Sequence, residues 1–374
     1  MQVELLFPDA ARDQIRTVWC TLEDACRPRY WLSWAWVETW LDSLPVALRP
    51  NLVVVKRGGR PVAAFFLGVV PVVRHRVLPS RSGYMNQTGS PAHDLLHIEY
   101  NAWVHEPGIE LDVREVLQAL PVDWDELVMS ALDSRSIPGR TIRGAHGPYR
   151  VRVTSTEPSP LVDLGAVRGA DGGYLSLLGG STRSSIRRSR KAYAEQGELV
   201  LDAATTLPVA RAFLAELAEL SRRRFEGSGE GSSFTSAYFC AFHDQLVARR
   251  FEHGEIQLLR LRAGDATIGL LYNFVSNGVV HFYQSGFRYE TDNRYKPGLL
   301  LHAEAIELNA RAGHDVYDFL GGTARYKKEL STSARELVSV RVQKPLARFI
   351  IEGQLRELRA WVRELQRVRR GDGA

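Results

Sequence analysis

The distribution of apolar and polar residues in the second half of the chain predicts a three-stranded meander followed by a helix. Three short segments rich in apolar residues, Ile256 to Arg262, Ala266 to Ser276 and Val279 to Phe287, follow one another with tight turns between them, as expected of antiparallel strands. The Asn277-Gly278 pair between the last two segments is typical of a tight hairpin turn. The flanking pattern predicts helices over 174–197, 209–225, 236–251, 297–312 and 323–330, and strands over 199–202, 316–320 and 336–343.

The first half has a similar but weaker pattern. It predicts helices over 9–26, 31–44 and 111–120, and strands over 2–7, 51–56, 61–73, 126–132 and 150–154. The segment from Ser80 to Pro91 is interpreted as a loop. We therefore predict a mixed α/β (α+β) fold with two similar halves, residues 1–165 and 166–345. Each half is expected to be a mixed, mostly antiparallel sheet flanked by helices.

Two further segments complete this organisation. Residues 157–173 contain two prolines and four glycines, and we interpret them as the boundary between the halves. Residues 346–374 place Ile351, Leu355 and Leu358 at helical spacing among arginines, which predicts a C-terminal amphipathic helix. We expect this helix to pack on the body or on a second copy of the chain in a homodimer. Binding to a membrane surface is the alternative.

Composition narrows the class of protein. The 374 residues have 45% hydrophobic and 24% charged side chains, as in an ordinary globular protein, and a net charge of +5. Three cysteines without ligand spacing predict neither a disulfide framework nor a metal site. No apolar run reaches the roughly 20 residues of a membrane span, and the N-terminus lacks a signal-peptide pattern. We expect a soluble, cytoplasmic protein that binds no DNA.

The junction after the third strand of the meander carries the clearest candidate chemistry. Pro297 fits the first turn of a helix, so the amides of Gly298, Leu299 and Leu300 are expected to be free hydrogen-bond donors. Arg294 and Lys296 add positive charge beside them. Together these features predict a site for phosphate or pyrophosphate. An ordinary helix start with solvated cations is the alternative.

Several motifs around this junction follow one another with ordered spacing. They are Ser181-Thr-Arg-Ser-Ser-Ile-Arg-Arg-Ser-Arg-Lys191, Tyr283-Gln-Ser-Gly-Phe287, Lys296-Pro-Gly-Leu-Leu-Leu-His302, Tyr317-Asp-Phe-Leu-Gly-Gly322 and Arg325-Tyr-Lys-Lys328. Over about residues 174–345 the chain resembles the GNAT-like acyltransferases of the CelD/BioF-associated type. It is more distantly similar to the Fem-type aminoacyl-tRNA-dependent transferases. The first half resembles a divergent N-terminal GNAT lobe.

The resemblance implies a tandem GNAT fold that transfers an acyl group from a thioester, usually acyl-CoA such as acetyl-CoA, to an amine. The strand around Tyr283, Gln284 and Ser285 would pair with the pantetheine arm, and the helix from Pro297 would meet the pyrophosphate. The basic helix, including Arg187, could bind the phosphates of the adenosine of CoA, a tRNA backbone or a lipid head group; a solvated helix is the alternative. The chain departs from the family in lacking its usual pyrophosphate loop, so the donor is either acyl-CoA or aminoacyl-tRNA.

Three residues are candidates for proton transfer in such a reaction. Strand alternation places His281, Tyr283 and Ser285 on one face, with Asp318 on the neighbouring strand. We predict that His281 or Asp318 accepts or relays the amine proton. Tyr326 would act as general acid toward the leaving thiolate, a role implied by the resemblance. The structural alternatives are a buried histidine, a turn-capping aspartate and a packing tyrosine.

Other charged or polar residues are interpreted as structural. Arg222 to Arg224 are interpreted as a solvent-exposed helix end. His302 is interpreted as a structural histidine whose hydrogen bonds are satisfied in the core. His93, His97 and Glu99 lack the zincin pattern, and no metal is expected. The leading hypothesis is an acyl-CoA-dependent N-acyltransferase with a small-molecule or saccharide amine as acceptor. The alternatives are a Fem-like transferase, in which tRNA is a partner, and a non-catalytic GNAT-fold binding protein.

Overall fold

The computed structural model describes residues 1–74, 78–141, 148–226 and 231–354. The predicted C-terminal helix lies mostly outside these residues. Within the described ranges, no helix has both the length and the apolar character needed to cross a bilayer.

The first half alternates strands with short helices. Its elements are β1 (Gln2–Leu6), α1 (Arg12–Cys26), α2 (Trp34–Ser43), β2 (Asn51–Arg57), β3 (Arg60–Arg74), β4 (Leu78–Met85), β5 (Val104–His105), α3 (Val113–Gln118), β6 (Glu126–Asp133), α4 (Ile137–Thr141), β7 (Arg150–Asp163) and α5 (Leu164–Gly169). The Ser33 hydroxyl caps α2 by accepting the Trp36 amide, and Trp36 and Trp40 are buried by that helix.

The second half contains the predicted meander, which is followed by a long helix. Its elements are α6 (Gly180–Ala194), β8 (Leu199–Ala203), α7 (Leu207–Phe225), α8 (Ala237–Arg250), β9 (Ile256–Ala263), β10 (Ala266–Ser276), β11 (Val279–Phe287), α9 (Pro297–Arg311), β12 (Val316–Asp318), α10 (Arg325–Leu330) and β13 (Ser333–Gln343). The meander turn at Asn277-Gly278 has both residues at positive φ, 49° and 74°, as this hairpin type requires.

All strands belong to one sheet, in the order β1-β2-β3-β4-β6-β13-β7-β12-β11-β10-β9-β8, with β5 beside β3. Each half supplies four antiparallel strands and one parallel neighbour, β6 beside β4 and β12 beside β11. The last strand of each half then crosses to the other half. As a result, β13 pairs with β6, β7 pairs with β12, and β7 and β13 pair with each other at the centre. The sheet therefore has the pseudo-twofold arrangement of a tandem repeat.

Helices cover both faces of this sheet. On one face, α1 and α2 of the first half share a hydrophobic core with α7 and α8 of the second. Aromatic rings join the halves there: Trp36 meets Phe242 at 4.8 Å, and Tyr30 stacks on Phe274 at 4.5 Å. On the other face, α5, α6 and α9 cover the second half, and α3 covers the first. This shared core fixes the two halves against each other.

The first half differs from expectation in two places. The strand predicted over 150–154 continues to Asp163 as β7, so it extends into the segment 157–173 that was interpreted as a boundary. The predicted loop at Ser80 contains most of β4, which is polar in sequence but hydrogen-bonded between β3 and β6. The Leu127 side chain packs directly over Gly83, where an added Cβ would lie 2.3 Å from it, so a larger residue there would require Leu127 to move.

Candidate active site

The sheet opens between β11 and β12. These parallel strands pair only from Val279 with Val316 to His281 with Asp318. Beyond that point β11 continues to Phe287 against β10, whereas β12 has ended. The edge of residues 282–287 that faces away from β10 therefore has no neighbouring strand. Its backbone amides and carbonyls are available to an extended ligand.

A β-bulge in β11 determines which side chains face this opening. Tyr272 of β10 pairs with Gln284 and Asn273 pairs with Phe282, so Tyr283 is the extra residue. Tyr283 packs with the core on the α7 side of the sheet, and its hydroxyl donates to the Leu96 carbonyl at 2.9 Å. After the bulge the alternation is reversed, and Ser285 lines a cavity on the α9 side. The expectation that His281, Tyr283 and Ser285 share a face is therefore wrong.

Helix α9 begins at this opening, as predicted, with Pro297 as its first residue. The first helical hydrogen bond joins the Leu300 amide to the Lys296 carbonyl at 3.0 Å. The prediction that the Leu300 amide is free is therefore wrong, whereas the amides of Gly298 and Leu299 have no acceptor within the helix. The Lys296 amide donates to Ser189 Oγ of α6 at 2.9 Å, which holds the start of the helix in position.

The cavity of about 290 Å³ lies where β11, α9 and α10 meet. Five predicted site residues line it: Ser285, Lys296, Gly298, Leu299 and Tyr326. Four other predicted ligand-binding residues, Tyr283, Gln284, Arg294 and Arg187, are not among the lining residues. Arg187 is exposed on α6. In the first half, the helix that precedes the parallel strand β6 is α3, which has only six residues, compared with 15 in α9.

Ion pairs neutralise the acidic side chains that line this cavity. Its two carboxylates are each held by an arginine outside the lining, Glu290 by Arg288 at 3.0 Å and Asp292 by Arg294 at 2.8 Å. The Arg294 predicted to bind phosphate is thus engaged by its own loop. Within the described part of the chain, the two cations that line the cavity, Lys296 and Arg224, have no carboxylate partner. They are available to an anionic ligand.

Tyr326 lies at the inner wall of the cavity. Its ring stacks on His302, with the ring centres 5.6 Å apart and an angle of 14° between the planes. Burial raises the pKa of Tyr326 to about 12. The phenol therefore stays protonated at neutral pH, in the state that a general acid requires.

The two predicted proton acceptors lie in the core rather than at the cavity. His281 is fully buried, its ring packs edge-on against Trp31 at 5.2 Å, and burial holds its pKa well below the usual value. Asp318 is also fully buried and accepts hydrogen bonds from Tyr100 at 2.6 Å, Ser159 at 3.2 Å and the Leu320 amide at 2.9 Å. Its geometry is that of a carboxylate that fixes the turn after β12.

A second cavity of about 310 Å³ lies between the halves and borders the same turn from the other side. It is lined by Glu99, Glu157, Ser130, Ser339 and Gly321, among others. A carboxylate oxygen of Glu99 accepts the Gly321 amide at 2.5 Å. Burial raises the pKa of Glu99 to about 7, against the opposing effects of that amide and of Lys327. Glu99 can therefore exchange a proton near neutral pH.

Further hydrogen bonds hold the turn after β12, which lies between the two cavities. Lys327, the residue after Tyr326, donates to the carbonyl oxygens of Gly321 at 2.6 Å and Leu320 at 3.2 Å. The segment from Gly321 to Lys327 therefore has Glu99 of the second cavity on one side and Tyr326 of the first cavity on the other. Over the residues with described positions, no group of three or more His, Cys, Asp or Glu side chains is arranged to hold a metal ion.

Three residues of these cavities were missed by sequence reasoning. Arg224 lines the first cavity although it was interpreted as solvated, and His302 lines it with one ring nitrogen unpartnered. Glu99 was considered only as part of a metal pattern. No local signal marks any of them, since each depends on which elements the sheet brings together.

Comparisons with known proteins agree with this geometry. Residues 180–328 match the model of the acetyltransferase (GNAT) domain family. The solved structure of FemX is 10% identical, with a TM-score of 0.57 over 90% of this chain and 97% of FemX. A conserved protein of unknown function from Bacteroides thetaiotaomicron is 12% identical, with a TM-score of 0.54 over 91% of this chain and 100% of that one. No curated protein sequence matches.

A third structure is the C-terminal domain of a protein assigned as lysylphosphatidylglycerol synthetase from Agrobacterium fabrum. It is 12% identical, with a TM-score of 0.50 over 87% of this chain and 94% of that domain. At such identities these structures establish the fold alone. The family match shows that residues 180–328 are similar to the acetyltransferase (GNAT) domain. The predicted likeness to GNAT-type acyltransferases, with a more distant one to Fem-type transferases, is confirmed.

Proposed function

We propose that the protein is an acyl-CoA-dependent N-acyltransferase that moves an acyl group, such as acetyl, from a thioester to the amine of a small-molecule or saccharide acceptor. The observation that carries the proposal is the cavity where β11 parts from β12 at the start of α9. It combines two free helix amides, two cations and an unpaired strand edge. A cytoplasmic location, where acyl-CoA is available, is part of the proposal.

Each part of an acyl-CoA has a matching surface in this cavity. The pyrophosphate would accept hydrogen bonds from the Gly298 and Leu299 amides, with Lys296 and Arg224 balancing its charge. Gly298 leaves room for this approach, because even an added Cβ would come no closer than 3.4 Å to Phe287. The pantetheine amides would pair with the free edge of residues 282–287. The thioester would then lie toward the apex of the opening.

The acceptor is proposed to bind in the second cavity, between the halves. The neutral amine nitrogen would form a C–N bond to the thioester carbonyl carbon, and Glu99 would take the proton that the nitrogen loses as this bond forms. The C–S bond breaks, and Tyr326 donates its phenolic proton to the thiolate. The products are an amide and free CoA, and the proton on Glu99 returns to the tyrosinate through solvent. Carboxylates and hydroxyls around the second cavity suit a cationic or sugar-like acceptor.

Aminoacyl-tRNA is the alternative donor, and α6 is the observation that favours it. Its cations, Arg183, Arg187, Arg188, Arg190 and Lys191, lie on one helix, and Arg190 is ion-paired to Glu304 at 2.6 Å. The likeness to FemX adds to this alternative. If tRNA is the donor, its affinity should fall steeply with salt, since several phosphates are neutralised at once.

A thermal-shift screen with CoA, acetyl-CoA and longer acyl-CoAs tests the proposal. A ligand at about one hundred times its Kd stabilises the fold by about 2.7 kcal/mol, so the proposal predicts a clear rise in melting temperature. Release of free thiol from the acyl-CoA in the presence of a panel of primary amines then identifies the acceptor class. If no CoA species raises the melting temperature and aminoacyl-tRNA does, the Fem-like alternative replaces the leading proposal.

A further inference from the structure

His302 is a buried histidine that lines the first cavity but has no role in the proposed chemistry. It lies on α9, one helical turn beyond the free Gly298 amide, and only 1% of its surface is exposed. Its ring is held by Phe282 at 4.5 Å, Phe319 at 5.2 Å and Tyr326 at 5.6 Å. This aromatic enclosure fixes the direction of the imidazole.

The hydrogen bond of Nδ1 indicates which ring nitrogen carries the proton. Nδ1 lies 3.1 Å from the hydroxyl oxygen of Tyr317, which is itself fully buried. Among the described residues that hydroxyl has no other acceptor for its proton, so we assign Tyr317 as the donor and Nδ1 as the acceptor of this bond. Burial lowers the pKa of His302 to about 3, and the nearby Lys327 charge acts in the same direction. The imidazole is therefore neutral, with its proton on Nε2.

The Nε2–H group is left without an acceptor in the described part of the chain. A buried donor without a partner costs free energy, and this residue borders a cavity built to receive a ligand. We propose that His302 Nε2 donates a hydrogen bond to a carbonyl oxygen of the bound acyl-CoA, on the thioester or on the pantetheine arm beside it. This inference rests on the proposed function. Tyr317 then acts as a positioning residue, because its hydroxyl keeps the proton on Nε2.

The test compares His302→Phe with His302→Gln in the full chain. Phenylalanine preserves the aromatic packing but removes the donor, whereas glutamine keeps an N–H near the position of Nε2. For His302→Phe we expect the Kd for CoA or acetyl-CoA, measured by calorimetry, to rise roughly threefold to tenfold, or kcat to fall by a similar factor. For His302→Gln we expect a change below about twofold. An increase in the Kd of CoA itself assigns the bond to the arm, and a loss of kcat alone assigns it to the thioester.

Tyr317→Phe provides an independent check if His302→Phe does not fold, as judged by its melting temperature without ligand. It should weaken donor binding in the wild-type background and have no further effect in the His302→Gln background, since glutamine does not depend on the Tyr317 proton. The inference is overturned if a folded His302→Phe binds and turns over acyl-CoA like the wild type, or if Tyr317→Phe has the same effect in both backgrounds. A wild-type protein that binds no CoA species would instead refute the proposed function.

Discussion

Gly286 controls how closely α7 approaches β11. Replacing it tests whether this distance sets the shape of the first cavity. A Cβ at this position would lie 2.5 Å from the Leu217 carbonyl oxygen and 2.9 Å from the Leu220 Cβ, both on α7. Ordinary contact begins at 3.4 Å, so Gly286→Ala requires a shift of about 0.9 Å, the difference between 3.4 and 2.5 Å. The nearest atom belongs to the backbone of α7 and cannot move by a change of rotamer. Overpacking of this kind lowers the free energy of unfolding by about 1–3 kcal/mol.

The same shift reaches the ligand site, because the last turn of α7 carries Arg224 to the cavity. We expect Gly286→Ala to lower the melting temperature by a few degrees and also to weaken CoA binding. Gly180→Ala is the matched control. It lies at the first position of α6 with no atom within 4 Å of an added Cβ, so stability and binding should stay unchanged. If the two variants melt alike and bind CoA alike, α7 does not set the geometry of the site.

The remaining predictions concern charge and proton transfer. Tyr326→Phe should lower kcat for thiol release from acetyl-CoA by about 10²–10⁴-fold with little change in KM, because the general acid is lost; an unchanged kcat would exclude that role. Glu99 has a pKa raised to about 7, so activity should increase as pH rises through that value and the carboxylate forms. Glu99→Gln should abolish this limb of the pH profile, and its persistence would assign the base elsewhere. Arg224→Gln should weaken CoA binding and reduce its salt dependence, whereas the exposed Arg223→Gln, ion-paired to Glu219, should not; equal effects would contradict the assignment.

The second half of the fold could be predicted from the sequence because its signals are local. The Asn277-Gly278 turn, the strand from Val279 to Phe287 and the helix beginning at Pro297 are where the pattern places them. Each depends on turn chemistry or on alternation within one segment. The free amides of Gly298 and Leu299 were predicted for the same reason, since they follow from a helix that begins at Pro297.

Other features depend on pairing between distant segments and could not be predicted in this way. The bulge at Tyr283 is a property of the β10–β11 register, and it reverses the direction of Ser285. The polar strand β4 is stable only because β3 and β6 flank it. The exchange of β7 and β13 likewise places residues 157–163, the first part of the predicted boundary segment, in a central strand of the sheet. Glu99 is brought to Gly321 across more than two hundred residues of sequence by that same pairing.

A crystal structure of the protein with bound CoA tests the central claim most directly. The account predicts the pyrophosphate within hydrogen-bonding distance of the Gly298 and Leu299 amides, with the pantetheine arm along residues 282–287 and the sulfur near Tyr326. CoA bound in the first half of the chain, or at any other place that leaves the start of α9 unoccupied, would contradict the account.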